Sequence, residues 1–232
     1  SFPTRRSSDL LLQLFAAISV IFANFSLLGF PSVINRLFPV FRNKDKNHNG
    51  FLFIALGTGL LGFSLSVIAF FILKPHLVNS NIDKSPLLVE YIMLLIPLLF
   101  FRILFSLLDN YNKVIYDAVT GTFWNDFMHK FINLALIALY ALGLMDFRQF
   151  FYGYIVSMSL PAFPLIYVLI KKGEFNLKPH IHFLSKPLVK EIITVSTFGL
   201  INGLSGILTQ NVDKLLISRF LPLEEVGIFS VC

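Results

Sequence analysis

The stretch FLFIALGTGLLGFSLSVIAFFIL, Phe51–Leu73, decides how the chain is read. It runs without a charged residue or a proline, and it exceeds the roughly 20 apolar residues that an α-helix needs to cross hydrocarbon. Inside it, GTGLLG at Gly57–Gly62 matches the dinucleotide-binding pattern G-x-G-x-x-G, and Asp83 follows where a ribose-binding acid would stand. That chemistry needs a strand before the glycines and a turn at them. Here they lie within one unbroken apolar run. The reading is a membrane helix whose small residues let another helix approach closely. Gly199, Gly203 and Gly206 repeat the pattern further along.

The rest of the chain agrees with that reading. Of 232 residues, 56% are apolar and 14% charged, with 27 phenylalanines, and the mean hydropathy is +0.75. A soluble domain of this size has no interior for so much apolar surface. The formal charge of +6 would suggest nucleic acid in a soluble protein. Here the basic residues gather between apolar runs, as membrane proteins place them, so no nucleic-acid partner is expected. A single cysteine, Cys232, excludes an internal disulfide and a multi-cysteine metal site. No cleavable signal-peptide pattern is seen.

Six stretches have the length and character of spans: Leu10–Phe30, Phe51–Leu73, Leu87–Leu108, Phe127–Met145, Phe150–Ile170 and Ile192 to about Ser218. Backbone polar groups in lipid must be satisfied internally, so the expected fold is all-α, a polytopic membrane protein. Eleven basic residues lie in one alternate set of loops (Arg36, Arg42, Lys44, Lys46, Lys113, Lys130, Lys171, Lys172, Lys178, Lys186, Lys190). Five lie in the other (Lys74, Lys84, Arg148, Lys214, Arg219). The richer set is expected in the cytoplasm, and the first span then runs inward.

That orientation leaves Arg5 and Arg6 on the wrong side. SFPTRRSSD, residues 1–9, resembles a translated sequencing adapter, and an artefact is expected there. A further helix is then expected ahead of Leu10. A seventh helix begins at EEVGIFSVC, so the chain is expected to run on past Cys232. The division that follows is an N-terminal membrane lobe over 10–170, a cytoplasmic linker over 171–191 and the start of a second lobe over 192–232. NHNG before Phe51 reads as a turn.

Polar residues at membrane depth carry the functional signal. Arg102, Ser106, Asp109, Lys113 and Asp117 recur at spacings of four, three, four and four, which is one helical face. That face pairs Asp109 with Lys113 and Lys113 with Asp117. Arg102 either points into a wet interior or snorkels to the interface. Asn202, Ser205, Thr209 and Asp213 share another face, followed by Lys214. These either pair at the outer interface or line a cavity. Pro97, Pro161 and Pro164 fall inside spans, as kinks. His180 and His182 lack companions for a metal site, and His48 and His129 lack obvious partners. No catalytic constellation is visible, so no enzyme activity, metal or cofactor is expected.

Three segments carry a family resemblance. VDKLLISRFLPLEEVGIFSV (Val212–Val231) resembles the start of the second lobe of bacterial O-antigen and capsule repeat-unit flippases. These are polysaccharide exporters of the multidrug/oligosaccharidyl-lipid/polysaccharide exporter superfamily. LGFPSVINRLFPVFRNK (Leu28–Lys44) resembles the end of their second helix and its basic loop, and YVLIKKGEFNLKP (Tyr167–Pro179) their inter-lobe linker. The resemblance implies helices two to seven and the start of eight from a two-lobe fold of twelve to fourteen. Its cavity opens alternately to each side of the bacterial cytoplasmic membrane. The substrate implied is an oligosaccharide on an undecaprenyl pyrophosphate carrier, with a polysaccharide polymerase and glycosyltransferases as functional associates. Arg36 and Arg102 are then the expected phosphate contacts, with Lys113 and Asn202 as further cavity candidates. Asp109, Asp213 and Lys214 are the gating or coupling candidates. By itself the stretch 10–232 is expected not to transport.

Rival readings are a cation-coupled multidrug exporter of the same fold and a lipid II flippase. From a different class come a membrane polysaccharide polymerase or acyltransferase. The polymerase lacks its large outer loop, since the longest here is 74–86, and the acyltransferase lacks a histidine-centred site.

Overall fold

The computed structural model describes residues 18–81 and 91–220, with side chains left undescribed at 76–81, 181 and 207–220. Every regular element among them is helical.

The first helix, α1 (residues 18–26), ends in an elbow where Leu28 and Gly29 take left-handed φ angles of 49° and 70°. Glycine adopts that conformation freely, and Pro31 in the next first turn suits a helix start. The chain resumes as α2 (Phe30–Phe41), in the stretch between the first two predicted spans, 31–50, where the sequence predicts a loop. The correction has a plain cause. Phe30, Val33, Ile34, Leu37, Phe38 and Phe41 form one buried stripe at helical spacing, and burying it outweighs the cost of Pro39 and of the polar residues between. Together α1 and α2 make an apolar stretch of 24 residues, Ile18–Phe41.

A tight turn over Lys44–Gly50 follows, with Asn47, His48, Asn49 and Gly50 all at positive φ. This is the turn that NHNG predicts. It leads into α3 (Phe51–Asn81), which exposes Leu60, Leu61, Leu65, Ile68, Phe71 and Ile72 on its outer side. A helix apolar on every face belongs in lipid.

The central element is α4 (Leu95–Val114), entered through a short 3₁₀ turn at Ile92–Leu94. It packs against α2 and α3 and against the pair α7 (Phe147–Ser159) and α8 (Ala162–Lys171). Between them, α5 (Val119–Thr122), a π-helical turn (Phe123–Met128) and α6 (His129–Ala141) form one continuous helix. Leu160 and Pro161 interrupt α7 and α8, whereas Pro97 and Pro164 sit in first turns, where proline costs little. The last helix among the described residues is α9 (Lys186–Phe220), which docks on α2; the helix expected at EEVGIFSVC lies outside them.

Four of these stretches are long and apolar enough to cross a membrane: Ile18–Phe41, Lys44–Pro75, Ile92–Val114 and Phe147–Lys171. The protein is a multi-pass membrane protein. Helices also stand where the sequence predicts spans at Phe127–Met145 and from Ile192, but they carry regularly placed polar residues. Asn125, Asp126, His129, Lys130 and Asn133 mark the first of them.

Phenylalanine explains the packing. Phe38, Phe41, Phe51 and Tyr111 meet with ring centres 4.7–6.4 Å apart between α2, α3 and α4. A second cluster joins Tyr91, Phe147, Phe150 and Phe151. The glycines of GTGLLG divide by role. A Cβ on Gly62 would run into the Ser26 carbonyl of α1, and one on Gly59 into the Leu107 side chain of α4, whereas Gly57 faces open space. Beside Gly62, the buried hydroxyls of Ser26 and Ser66 are hydrogen-bonded at 2.5 Å.

Candidate functional site

Where α1, α4 and the π-helical turn converge, they leave a cleft of about 330 Å3. Helical spacing supplies its walls. From α1 and the elbow after it come Val20, Ala23, Asn24 and Leu27; from α4 come Leu98, Arg102, Phe105 and Ser106; Asn125 and His129 enter from the third side. The apolar members hold the helices together, and the polar ones converge in the space between. A single π turn shifts the register of a helix, and such turns gather at functional sites. Here the His129 amide reaches back five residues to the Trp124 carbonyl.

Arg102, Asn24 and His129 are held in place. Arg102 Nη1 donates to Ser19 Oγ at 3.0 Å, and Ser19 is itself only 1% exposed. The Asn24 amide donates to the Val20 carbonyl at 2.8 Å. His129 Nδ1 lies 3.0 Å from Ser157 Oγ on α7, and Asn133 Nδ2 lies 3.1 Å from His129 Nε2. Asn133 Oδ1 is buried without a hydrogen-bond partner among the described residues. A guanidinium remains charged in any protein setting and presents a planar fork of donors. The cleft therefore offers one fixed positive charge among neutral donors and acceptors, at the level of the apolar helices. That arrangement can hold an anionic group together with hydroxyl-bearing neighbours.

The structure gathers only some of the residues singled out in the sequence. Arg102 lines the cleft. Arg36 does not join it; it is exposed on α2, since the buried stripe of that helix faces the other way. Lys113 pairs with Asp109 at 2.5 Å, one turn apart, but not with Asp117. The reason is that α4 stops at Val114 and Tyr116 turns left-handed, φ 67°. Asp117 instead accepts from the Thr120 amide at 3.1 Å and from Lys172 Nζ at 3.0 Å. Burial opposes its charged form, but these bonds prevail and hold its carboxyl below the ordinary range. Asn202 is exposed on α9 and does not line the cleft. Asp213 and Lys214 lie outside the residues whose side chains are described.

Two histidines that lacked partners in the sequence have them in space. His129 is bound as above, and His48 Nε2 lies 2.7 Å from Glu174 Oε2. Sequence reasoning also missed Asn24 and Asn125. Asn24 was visible as an isolated amide in the apolar run SVIFANFSLL, which is a functional signal in a membrane helix. Asn125 and His129 stood one helical turn apart, but nothing in the sequence said which way that turn faced.

Comparison with sequence families gives a match over residues 11–232 to the family described as polysaccharide biosynthesis protein. The chain belongs to that family. Comparison with curated proteins and comparison with solved structures each returned no match. Family membership and multi-pass architecture together place the protein in polysaccharide biosynthesis at a membrane.

Proposed function

We propose that the protein carries oligosaccharide repeat units, linked through pyrophosphate to a polyprenyl carrier, across the bacterial cytoplasmic membrane by alternating access. The observation that supports this most directly is Arg102, a fixed cation inside a polar cleft among membrane-spanning helices, in a chain of the polysaccharide biosynthesis family. A pyrophosphate and the hydroxyls of a sugar cannot enter hydrocarbon unaided. Arg102 offsets the phosphate charge, and Asn24, Ser106, Asn125 and His129 offer hydrogen bonds to hydroxyls. At about 330 Å3 the cleft suits a pyrophosphate or one sugar ring, so it holds the head of the substrate rather than the whole repeat unit.

The lysine-rich end of the bundle faces the cytoplasm in this reading. The elbow at Leu28–Gly29 and the break at Pro161 are the places where the helices bend as the cleft changes sides. Asp109 with Lys113, and Asp213 with Lys214, are the gating candidates, and the role of Arg36 is confined to attracting the substrate at the membrane surface. The polysaccharide polymerase and glycosyltransferases act after and before this step.

The test is export of surface polysaccharide from cells carrying Arg102→Ala at the chromosomal locus. The expected result is loss of export with lipid-linked repeat units retained inside, and partial recovery with Arg102→Lys. Export unchanged at normal expression refutes the Arg102 role. Normal export with altered resistance to cationic drugs favours the multidrug exporter instead.

A further inference from the structure

Another crevice, of about 570 Å3, lies at the end of the bundle where α2, α4 and α8 finish and α3 begins. Arg42, Lys44, His48, Tyr116, Lys172 and Glu174 line it. Arg42 and Lys172 directly follow the C-termini of α2 and α8, where a cation is favoured by the helix dipole.

Arg42 is held with unusual completeness for an exposed residue. Its Nη1 donates to Tyr116 Oη at 2.6 Å and its Nη2 to the Val114 carbonyl at 2.5 Å. The guanidinium carbon lies 4.8 Å from the centre of the Tyr116 ring and 5.2 Å from that of Phe38. These partners fix the plane of the group but leave its charge unneutralised. The nearby carboxylates are engaged elsewhere: Glu174 with His48 at 2.7 Å and more distantly with Lys44 at 3.7 Å, Asp117 with Lys172 at 3.0 Å. These bonds use two of the five N–H groups of a guanidinium, and the other three meet no acceptor among the described residues.

The turn that ends α4 brings Tyr116 to Arg42. Tyr116 has φ 67°, a conformation that disfavours a bulky side chain, and its side chain is 84% exposed rather than buried in the core. Its described contacts are with Arg42. The left-handed residue closes α4, with the Tyr116 amide donating to the Lys113 carbonyl at 3.2 Å and the Asp117 amide to the Asn112 carbonyl at 2.8 Å, and it carries the Tyr116 ring to Arg42.

We propose that this crevice binds the phosphate of a membrane lipid headgroup, anchored by two or more N–H groups of Arg42 and flanked by Lys44 and Lys172. Lipid phosphates are the abundant anions at the ends of membrane helices, and basic pockets between such ends recognise them. The inference goes beyond the transport reading. It requires only that α2, α4 and α8 end at the membrane surface. Two lipids share the chemistry: an anionic phospholipid of the surrounding leaflet, and the diphosphate head of a polyprenyl carrier.

The experiment is native mass spectrometry of the purified protein with either phosphatidylglycerol or undecaprenyl diphosphate added to a phosphatidylcholine background. Arg42→Gln is expected to weaken retention at least about tenfold, since two or more charge-assisted hydrogen bonds are lost. Lys44→Gln is expected to weaken it about threefold. Loss confined to phosphatidylglycerol assigns the crevice to bulk lipid. Loss confined to the diphosphate assigns it to the carrier, and loss of both shows recognition of the phosphate alone. Should Arg42→Gln fail to fold, Lys44→Gln carries the test, because Lys44 is 83% exposed and its removal leaves the packing intact. Retention of both lipids at the wild-type level, in whichever variant is folded, overturns the proposal.

Discussion

Gly57 and Gly62 are five residues apart on α3 and chemically identical, yet alanine should have opposite effects at the two. At Gly57 a new Cβ meets nothing within 4 Å. The substitution gains about 1 kcal/mol of helix propensity and little else. At Gly62 the same gain is available, but the Cβ is driven into the backbone carbonyl of Ser26. A carbonyl cannot rotate away as a side chain can, so α1 must move as a body. Overpacking of this kind costs about 1–3 kcal/mol. The movement also parts the buried Ser26–Ser66 hydroxyls, worth about 1 kcal/mol. Gly62→Ala is therefore expected to destabilise by about 1–3 kcal/mol net, leaving the two variants about 2–4 kcal/mol apart. The assay is unfolding of the micellar protein by sodium dodecyl sulfate, followed by helical circular dichroism and by the fluorescence of Trp124, the single tryptophan. If Gly62→Ala is as stable as Gly57→Ala, the close crossing of α1 and α3 is wrong.

Three further outcomes follow from particular contacts. Ser196 Oγ donates to the Leu28 carbonyl at 2.5 Å, and a Cβ on Gly199 would lie 2.6 Å from the Gly29 carbonyl. Gly199→Val should therefore detach α9 from the elbow and expose it to proteases, and an unchanged digestion pattern would count against that docking. Glu174→Gln should free the segment after α8 from the turn holding His48, since both the 2.7 Å His48 contact and the 3.7 Å Lys44 contact lose the carboxylate charge. The expected readout is faster hydrogen exchange at residues 174–180, with no change there as the contrary result. Asp117 has a depressed folded-state pKa, first opposed by burial and then set by Thr120 and Lys172. Its stabilisation is complete above the unfolded carboxyl value of about 4 and is lost as pH falls through the lower folded value. Melting temperatures of the wild type and Asp117→Asn should therefore converge on acidification, and parallel curves across the acid range would refute the assignment.

The fold class was legible because its cause is local. Phe51–Leu73 is apolar on every face, and only lipid tolerates that, so a membrane helix follows with no knowledge of neighbours. Arg102 was legible as a residue of interest for the same reason: a charge at membrane depth needs an explanation wherever it points. The length of the first span was not legible. Pro31 and the polar residues of α2 read locally as a loop, and only packing of the Phe30–Phe41 stripe against α3, α4 and α9 keeps that segment helical. The pairing of Asp117 was not legible either, because helical periodicity predicts a continuous face past Val114, where the left-handed Tyr116 ends it.

What the sequence determined by itself is the solvent of each segment. Hydrophobicity and charge act residue by residue, so an apolar all-helical chain with basic loops needs no three-dimensional knowledge to be recognised. What the tertiary structure alone decided is the company each polar group keeps. Asn24, Arg102 and His129 meet across a cleft, Arg42 lies between Phe38 and Tyr116, and His48 reaches Glu174. These residues are as many as 126 positions apart in the chain. Their meeting depends on crossing geometry, fixed at points such as Gly62 and the Leu28–Gly29 elbow. Helical periodicity ranks the faces of one helix and carries no information about which other helix each face will meet.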